Sequence, residues 1–483
     1  MALILMAMVA ASIVAVRATS SRALPPARVV RSSSRTVEEP QSVVTALSAN
    51  SCMAASCHGG PVKGDADAWK SSYTAWFTRD PHANAYNDLF NARSRRMIAA
   101  LEMGASKFGG KAVAEDARGQ SYLVALSQHG CLACHAATTA GSSDPLAATS
   151  LGCHDCHGPD QGWVAEHYLA RWQQRAVDRR RRSGMTDTQS LAGRAQVCVG
   201  CHIGASANEH GPLRDMNHDL IAAGHPRLNF EFAAYLANLP PHWSEEKDHQ
   251  RLANAHDNVE AAKWIVGQQV CATAAAGLLA DRARRADDAS QRGVWPEFAE
   301  YDCYGCHHQL ASPSTRPAGD RRPGQWQWGS WHFALRDAEG GDLASLKQVV
   351  ERTLPDAAEV ARLASQMQLS DSSDKPGSML ATLTERLSMA ETDSWHWDEW
   401  TQWYLGLRAW LGAMEESQGR NSLDAAAKRR MSQLLEQLEA KLKFSRHADS
   451  PWGFDATDPE LRKMADQILD LLPAGQKADA RSM

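Results

Sequence analysis

The residues in this chain that could do chemistry are its cysteines and histidines. Ten of eleven cysteines form five pairs, and a histidine follows each pair directly. Four pairs keep two residues between the thiols: Cys131-Leu-Ala-Cys134-His135, Cys153-His-Asp-Cys156-His157, Cys198-Val-Gly-Cys201-His202 and Cys303-Tyr-Gly-Cys306-His307. The first in chain order, Cys52-Met-Ala-Ala-Ser-Cys57-His58, keeps four. Two thiols at this spacing can each form a thioether with one vinyl group of a porphyrin, and the histidine that follows can reach the iron as proximal ligand. The wider first pair still permits this, because the extra residues only bulge the backbone between the two bonds. The pattern predicts five covalently attached haem c groups, each with one iron.

Two plainer readings compete. Cysteine pairs also bind zinc, but zinc does not require histidine directly after the second thiol. With 19 histidines in 483 residues, chance puts one there about 4% of the time, so five coincidences are of order one in ten million. Disulfides suit an exported protein but leave every one of the five histidines unexplained. The eleventh cysteine, Cys271, lies in the apolar run Val270-Cys271-Ala272 and reads as a buried core thiol.

Each haem iron has a second axial position, and its occupant separates a carrier from a catalyst. Fourteen histidines lie outside the proximal positions, enough to pair every iron. His82, His167 and His225 are the leading distal candidates, ahead of His210, His218 and His308. His82 is expected to serve a haem other than the one on His58, because Trp69, Tyr73 and Trp76 between them read as a helix leading the chain away. His154, inside a motif, is expected to face solvent, and His396 and His447 are accounted for by helix faces or loops.

The order of these motifs resembles the tetrahaem cytochrome c-554 family. The resemblance rests on Cys57-His58, His82-Ala83, Cys131 to His135, Cys153 to His157 with its trailing Gly158-Pro159, and Cys198 to His202. It covers roughly residues 50 to 230 and implies that His82 and His167 are distal ligands and that the haem on His135 lacks one. The chain departs from that family in its fifth motif at Cys303 and its wider first motif. It has no Cys-x-x-Cys-Lys motif, which argues against the activity of pentahaem nitrite reductases.

The elements that must position these residues are helical. No strand signal stands out, so the fold class is mainly α: a loop-rich multihaem cytochrome c domain over 51–320, then an α-helical bundle over 321–483. A long helix is expected over 256–287. Beyond 320, apolar stripes at helical spacing run through Leu343, Leu346, Val350 and Leu354 up to Pro355; through Trp400, Trp403, Leu407, Trp410, Leu411 and Met414, with Asp393 or Ser394 as N-cap; and through Met431, Leu435, Leu438 and Leu442. These predict four or five antiparallel helices that fold without haem. The Trp stripe reads as core, and Trp326, Trp328 and Trp331 are placed to cover the fifth haem. The basic run Arg179–Arg182 reads as a solvated helix end, with haem propionates or an acidic partner as the alternative.

At the N-terminus, residues 1–23 carry an apolar run ended by Arg17, expected to be a signal peptide or a short anchor. A flexible linker follows over 24–50. Covalent haem attachment takes place outside the cytoplasm, so a periplasmic location is expected, with the N-terminal segment as the route to any membrane association. Lys and Arg number 51 against 56 Asp and Glu, which gives no basic excess for nucleic acid. The expected function is electron transfer between redox partner proteins. The alternatives are an oxidoreductase acting on a small nitrogen or sulfur compound at one five-coordinate haem, and a haem subunit docked to a larger complex by its bundle.

Overall fold

The computed structural model describes residues 52–62, 69–107, 120–137, 149–159, 162–208, 211–240, 242–244, 246–248, 258–288, 293–307, 326–335, 342–367, 379–388, 395–416, 423–443 and 454–472, with 250, 290 and 392. All described residues belong to one unit of the chain, Ala46–Met483. The expected signal segment and linker, His210, His308, His447 and the N-cap candidates Asp393 and Ser394 lie outside the described residues.

Those residues are mainly α-helical, as the sequence predicts. The strands among them are β1 (Gly204–Ala205) and β2 (Arg214–Asp215), paired antiparallel. The helices that matter for the site are α1 (Ser72–Arg79), α2 (Ala92–Lys107), α3 (Gln120–Gln128), α4 (Leu191–His202), α5 (His218–Ala222), α6 (Phe232–Asn238) and α7 (Val259–Asp287). After the fifth motif come α8 (Asp342–Val350), α9 (Ala357–Gln366), α10 (Met379–Ser388), α11 (Trp397–Glu416), α12 (Ala425–Leu442) and α13 (Pro459–Leu471). Cys131–His135, Cys153–His157 and Cys303–Cys306 each form a short helical turn, while Cys198 to His202 ends α4.

Helix α7 is the element on which the rest converges, and local chemistry explains its length. Asn258 caps it by accepting from the N–H groups of Glu260 and Ala261, both at 3.1 Å. Glu260 occupies its first turn and Arg284 and Arg285 its last, the signs the helix dipole favours. Its first half sends Ala261, Trp264 and Ile265 into a core shared with α10 to α13. Its second half sends Ala272, Ala276, Leu279 and Ala283 against α8, α9, Tyr301, Trp328 and Phe333. A third face, with Ala262 and Cys271, packs on α4, Phe230 and Phe232. Gly267 permits that approach, because a Cβ there would lie 2.7 Å from Phe232 Cβ. Cys271 is a buried core thiol, 3% exposed.

The Trp stripe of α11 is core: Trp400, Trp403 and Trp410 are fully buried, as are Leu407 and Met414. Trp403 and Trp410 each donate a ring N–H, to Leu387 O at 3.1 Å and to Thr384 Oγ1 at 2.9 Å. The first turn of α11 is closed by Glu399, whose carboxylate accepts from the His396 N–H at 3.0 Å. Met431, Leu435, Leu438 and Leu442 are buried as well. One stripe stops short. Helix α8 ends at Val350, and Leu354 is 84% exposed. The cause is Pro355, which pushes the residue before it out of the helical region, so the buried stripe of α8 ends with Val349 and Val350. Trp328 and Trp331 belong to the two cores on α7, and Trp331 stacks on Trp397 at 5.6 Å. Of the three tryptophans expected over the fifth site, Trp326 reaches it indirectly, through Phe298 at 5.5 Å.

Candidate functional site

The five histidines that follow the cysteine pairs each have one other histidine ring beside them. Ring centres lie 6.2 Å apart for His58 and His167, 6.2 Å for His135 and His225, 6.5 Å for His157 and His242, 5.9 Å for His202 and His82, and 6.3 Å for His307 and His218. Such spacings fall within the range of ordinary aromatic contacts, two pairs being near parallel and three edge-on, and they also match the separation of two rings with one atom between them. A metal held by two imidazoles sits about 2.0–2.1 Å from each nitrogen, and roughly 1.1 Å more separates nitrogen from ring centre, which gives about 6.3 Å overall. Two ligands are what an iron already bound by four porphyrin nitrogens requires.

Hydrogen bonds at the far nitrogens fix the orientation. His58, His135, His167 and His225 each donate Nδ1–H to a backbone carbonyl: Trp69 at 2.6 Å, Ala85 at 3.0 Å, Val164 at 2.6 Å and Pro226 at 2.9 Å. His157 Nδ1 shares a 3.3 Å bond with Thr188 Oγ1. His82 Nδ1 bonds Asp80 Oδ1 at 2.7 Å, while the same carboxylate caps the turn Pro81–Asn84 by accepting from the His82 N–H at 2.9 Å. An imidazole held at Nδ1 in this way presents the Nε2 lone pair, the arrangement that metal-ligating histidines take.

Electrostatics point the same way. Burial, with His242 and His58 adding, lowers His157 to about 4, and burial, with His82 and His135 adding, lowers His202 to about 4. Burial also lowers His225 and His242. These imidazoles are neutral at pH 7, the state that ligation needs. His82 moves up instead, because the Asp80 hydrogen bond outweighs burial. Burial would raise Asp80 itself, but its contacts with His82 hold it below the usual carboxylate range.

The cysteines fit the same assignment. None of the eleven is in a disulfide. Among the described residues no three His, Cys, Asp or Glu side chains group as a metal site, so the pairs do not combine into the four-ligand shell zinc takes. Burial lifts the thiols of Cys131 and Cys198 to about 11 and Cys156 to about 12. Gly158, directly after His157, has φ +84°, and a Cβ there would meet Gly184 O at 2.1 Å. The glycine trailing the third motif is thus required by the backbone.

The motifs adjoin one another in an order unlike that of the chain. The Cys52 thiol lies close to that of Cys153, bringing the first and third motifs together, and Cys134 lies close to Cys201, bringing the second and fourth together. Cys156 lies within the field of Cys198 and Cys201, which joins third to fourth. Helix α5 begins with His218, facing the fifth motif, and the chain reaches His225, facing the second, just after it ends. The sites therefore run first, third, fourth, second, fifth.

The leading distal candidates are all brought to proximal histidines: His82 to His202, His167 to His58, and His225 to His135. His82 thus pairs away from His58, and His135 has a facing imidazole where the resemblance implied none. His218, a lesser candidate, completes the fifth pair. His242 was not singled out by sequence reasoning at all. It lies outside the five motifs and beyond the stretch, roughly residues 50 to 230, that carries the resemblance. His154 is half-buried and lies 3.7 Å from Asp155. His396, 5% exposed, lies 3.9 Å from Asp302, next to Cys303, so it ties α11 to the fifth motif.

Among the described residues no helix is long and apolar enough to cross a membrane. Set against models of known protein families, curated proteins and solved structures, the chain finds no match.

Proposed function

We propose that this chain is a periplasmic multihaem c-type cytochrome that transfers electrons between redox partner proteins, with five haem c groups attached through Cys52 and Cys57, Cys131 and Cys134, Cys153 and Cys156, Cys198 and Cys201, and Cys303 and Cys306. The observation that carries the reading is the set of five proximal–distal imidazole pairs at iron-sized separation. Bound haem would supply a one-electron iron couple at each site. The protein's own part is to hold ten imidazoles in place, orient six of them through hydrogen bonds at Nδ1, and keep the sites adjacent. The distribution of apolar surface supports it. Trp69, Tyr168, Tyr235 and Phe298 are 39–73% exposed, and each ring lies within 6.0 Å of a paired imidazole. Exposed aromatics at those positions are what a porphyrin would cover. The order of motifs, with its likeness to the cytochrome c-554 family over roughly residues 50 to 230, points the same way.

A facing imidazole at every proximal histidine favours a carrier over an oxidoreductase with an open iron. Intact mass of protein matured in a c-type-competent periplasm should show five haem additions. His242→Ala should keep all five and convert one iron of the five from low-spin to high-spin or water-ligated. Fewer additions would remove a site, and a ferrous wild-type protein that binds carbon monoxide readily would overturn the carrier reading.

A further inference from the structure

A cavity of about 320 Å³ lies between the first and third motifs, lined by His58, His157 and His242, and its other wall is basic. Arg180, Arg181 and Arg194 all reach it. Two of the three are already paired. Arg181 donates to Asp187 at 2.8 Å, and Arg194 donates through both terminal nitrogens to Asp248 at 2.7 and 2.8 Å. Arg180 is different. Its Nε is buried and meets no hydrogen-bond partner among the described residues, although it sits in the basic run on the helical turn Val177–Arg182. The flanking Arg179, Arg181 and Arg182 are exposed, while Arg180 is half-buried. A buried guanidinium nitrogen without an acceptor is costly, and native structures keep such groups for a purpose.

We propose that Arg180 anchors a propionate carboxylate of the haem held between His157 and His242, and that its charge raises the reduction potential of that haem. This rests on the haem reading above. The guanidinium fork matches a carboxylate in geometry and charge. A cation fixed there offsets the propionate's negative charge, which otherwise favours the ferric form. The basic run thus divides: Arg180 is free to take the carboxylate, Arg181 is held at the cavity wall by Asp187, and Arg179 and Arg182 are exposed.

The test uses the matured holoprotein and a spectroelectrochemical titration, with Arg180→Gln, Arg180→Lys and Arg179→Gln compared at equal net-charge bookkeeping. Arg180→Gln should shift one-fifth of the amplitude toward the ferric form by about tenfold, which is about 59 mV for one electron. Arg179→Gln, which removes the same charge at the surface, should shift it less than twofold, and Arg180→Lys should recover most of the wild-type curve. If Arg180→Gln and Arg179→Gln titrate alike while mass still shows five haems, the anchor is wrong and the haem reading stands. If Arg180→Gln fails to mature, recovery by Arg180→Lys supports the anchor and equal failure overturns it. A wild-type chain without haem would remove both.

Discussion

The motif-bearing region and the helices after it are built on opposite principles. Of twelve large apolar side chains left exposed among the described residues, eleven precede residue 300, Leu354 being the exception. Past that point the large apolar side chains pack on one another, with Trp400, Trp403, Trp410, Leu407 and Leu435 fully buried. Before it, the largest cluster away from α7 joins α3 to the second motif through Tyr122, Leu126 and Leu132, a small core for so many residues. One region encloses its own apolar surface; the other sets imidazoles in pairs and leaves aromatics beside them exposed. Helix α7 belongs to both, and that is where the contrast can be broken.

The largest effect is expected from cofactor attachment itself. With all ten paired cysteines replaced by alanine, the region before α7 should lose most of its helical signal and digest rapidly, while a protease-resistant remnant survives. The sequence alone suggests that residues 325–483 fold unaided. The structure sharpens this, because Trp264 and Ile265 of α7 lie inside the core of α10 to α13, and full burial of such side chains is worth about 1.5–3 kcal/mol each. A fragment from residue 256 should therefore resist urea better than one from residue 325. Equal midpoints would show that α7 is a bystander to that core.

A single residue tests the same seam more gently. Trp264 is fully buried where α7 meets α10 and α11. Trp264→Ala should destabilise the C-terminal helices by about 3–5 kcal/mol in denaturant titration followed by tryptophan emission. It should leave the five haem additions in the mass spectrum unchanged. Loss of haem in this variant would mean that the bundle shapes the sites rather than merely adjoining them.

What was legible in the sequence follows from how local each constraint is. The proposed covalent attachment demands two thiols and an imidazole within a few residues, so each proposed proximal histidine is marked by its own local motif. A distal ligand has no such tether. His167 and His82 could be reached because aromatic neighbours and a resemblance marked them, whereas His242, lying 85 residues beyond its proximal partner His157, carried no local mark. The residues that hold the imidazoles are equally silent, since Asp80 and Thr188 acquire meaning only when the backbone brings them to His82 and His157. The Trp and Leu stripes of α11 and α12 were readable from period alone. Leu354 was misplaced because period carried the helix past the point where Pro355 forbids it.

The smallest effect expected comes from a carboxyl where the two regions touch. Glu231 is 2% exposed and caps α6 by accepting from the N–H groups of Ala233 at 3.1 Å and Ala234 at 2.7 Å. It follows Phe230, whose ring stacks on His202 and whose carbonyl accepts from Trp331 of the C-terminal core. Burial outweighs the two hydrogen bonds and lifts its carboxyl from 4.5 to about 7. A folded carboxyl raised in this way holds a proton that the unfolded chain has released. Its contribution is therefore full below pH ~4.5 and is lost as pH rises through ~7. The ceiling on that loss is about 3 kcal/mol, at about 1.36 kcal/mol for each pH unit of displacement. Glu231→Gln keeps an oxygen for the cap but cannot ionise, so its stability relative to wild type should grow by about 1–3 kcal/mol between pH 5 and pH 8. Thermal midpoints of the two holoproteins measured across that interval decide the matter. Parallel curves would mean that Glu231 is already ionised when folded, with water or an arginine reaching it at the seam.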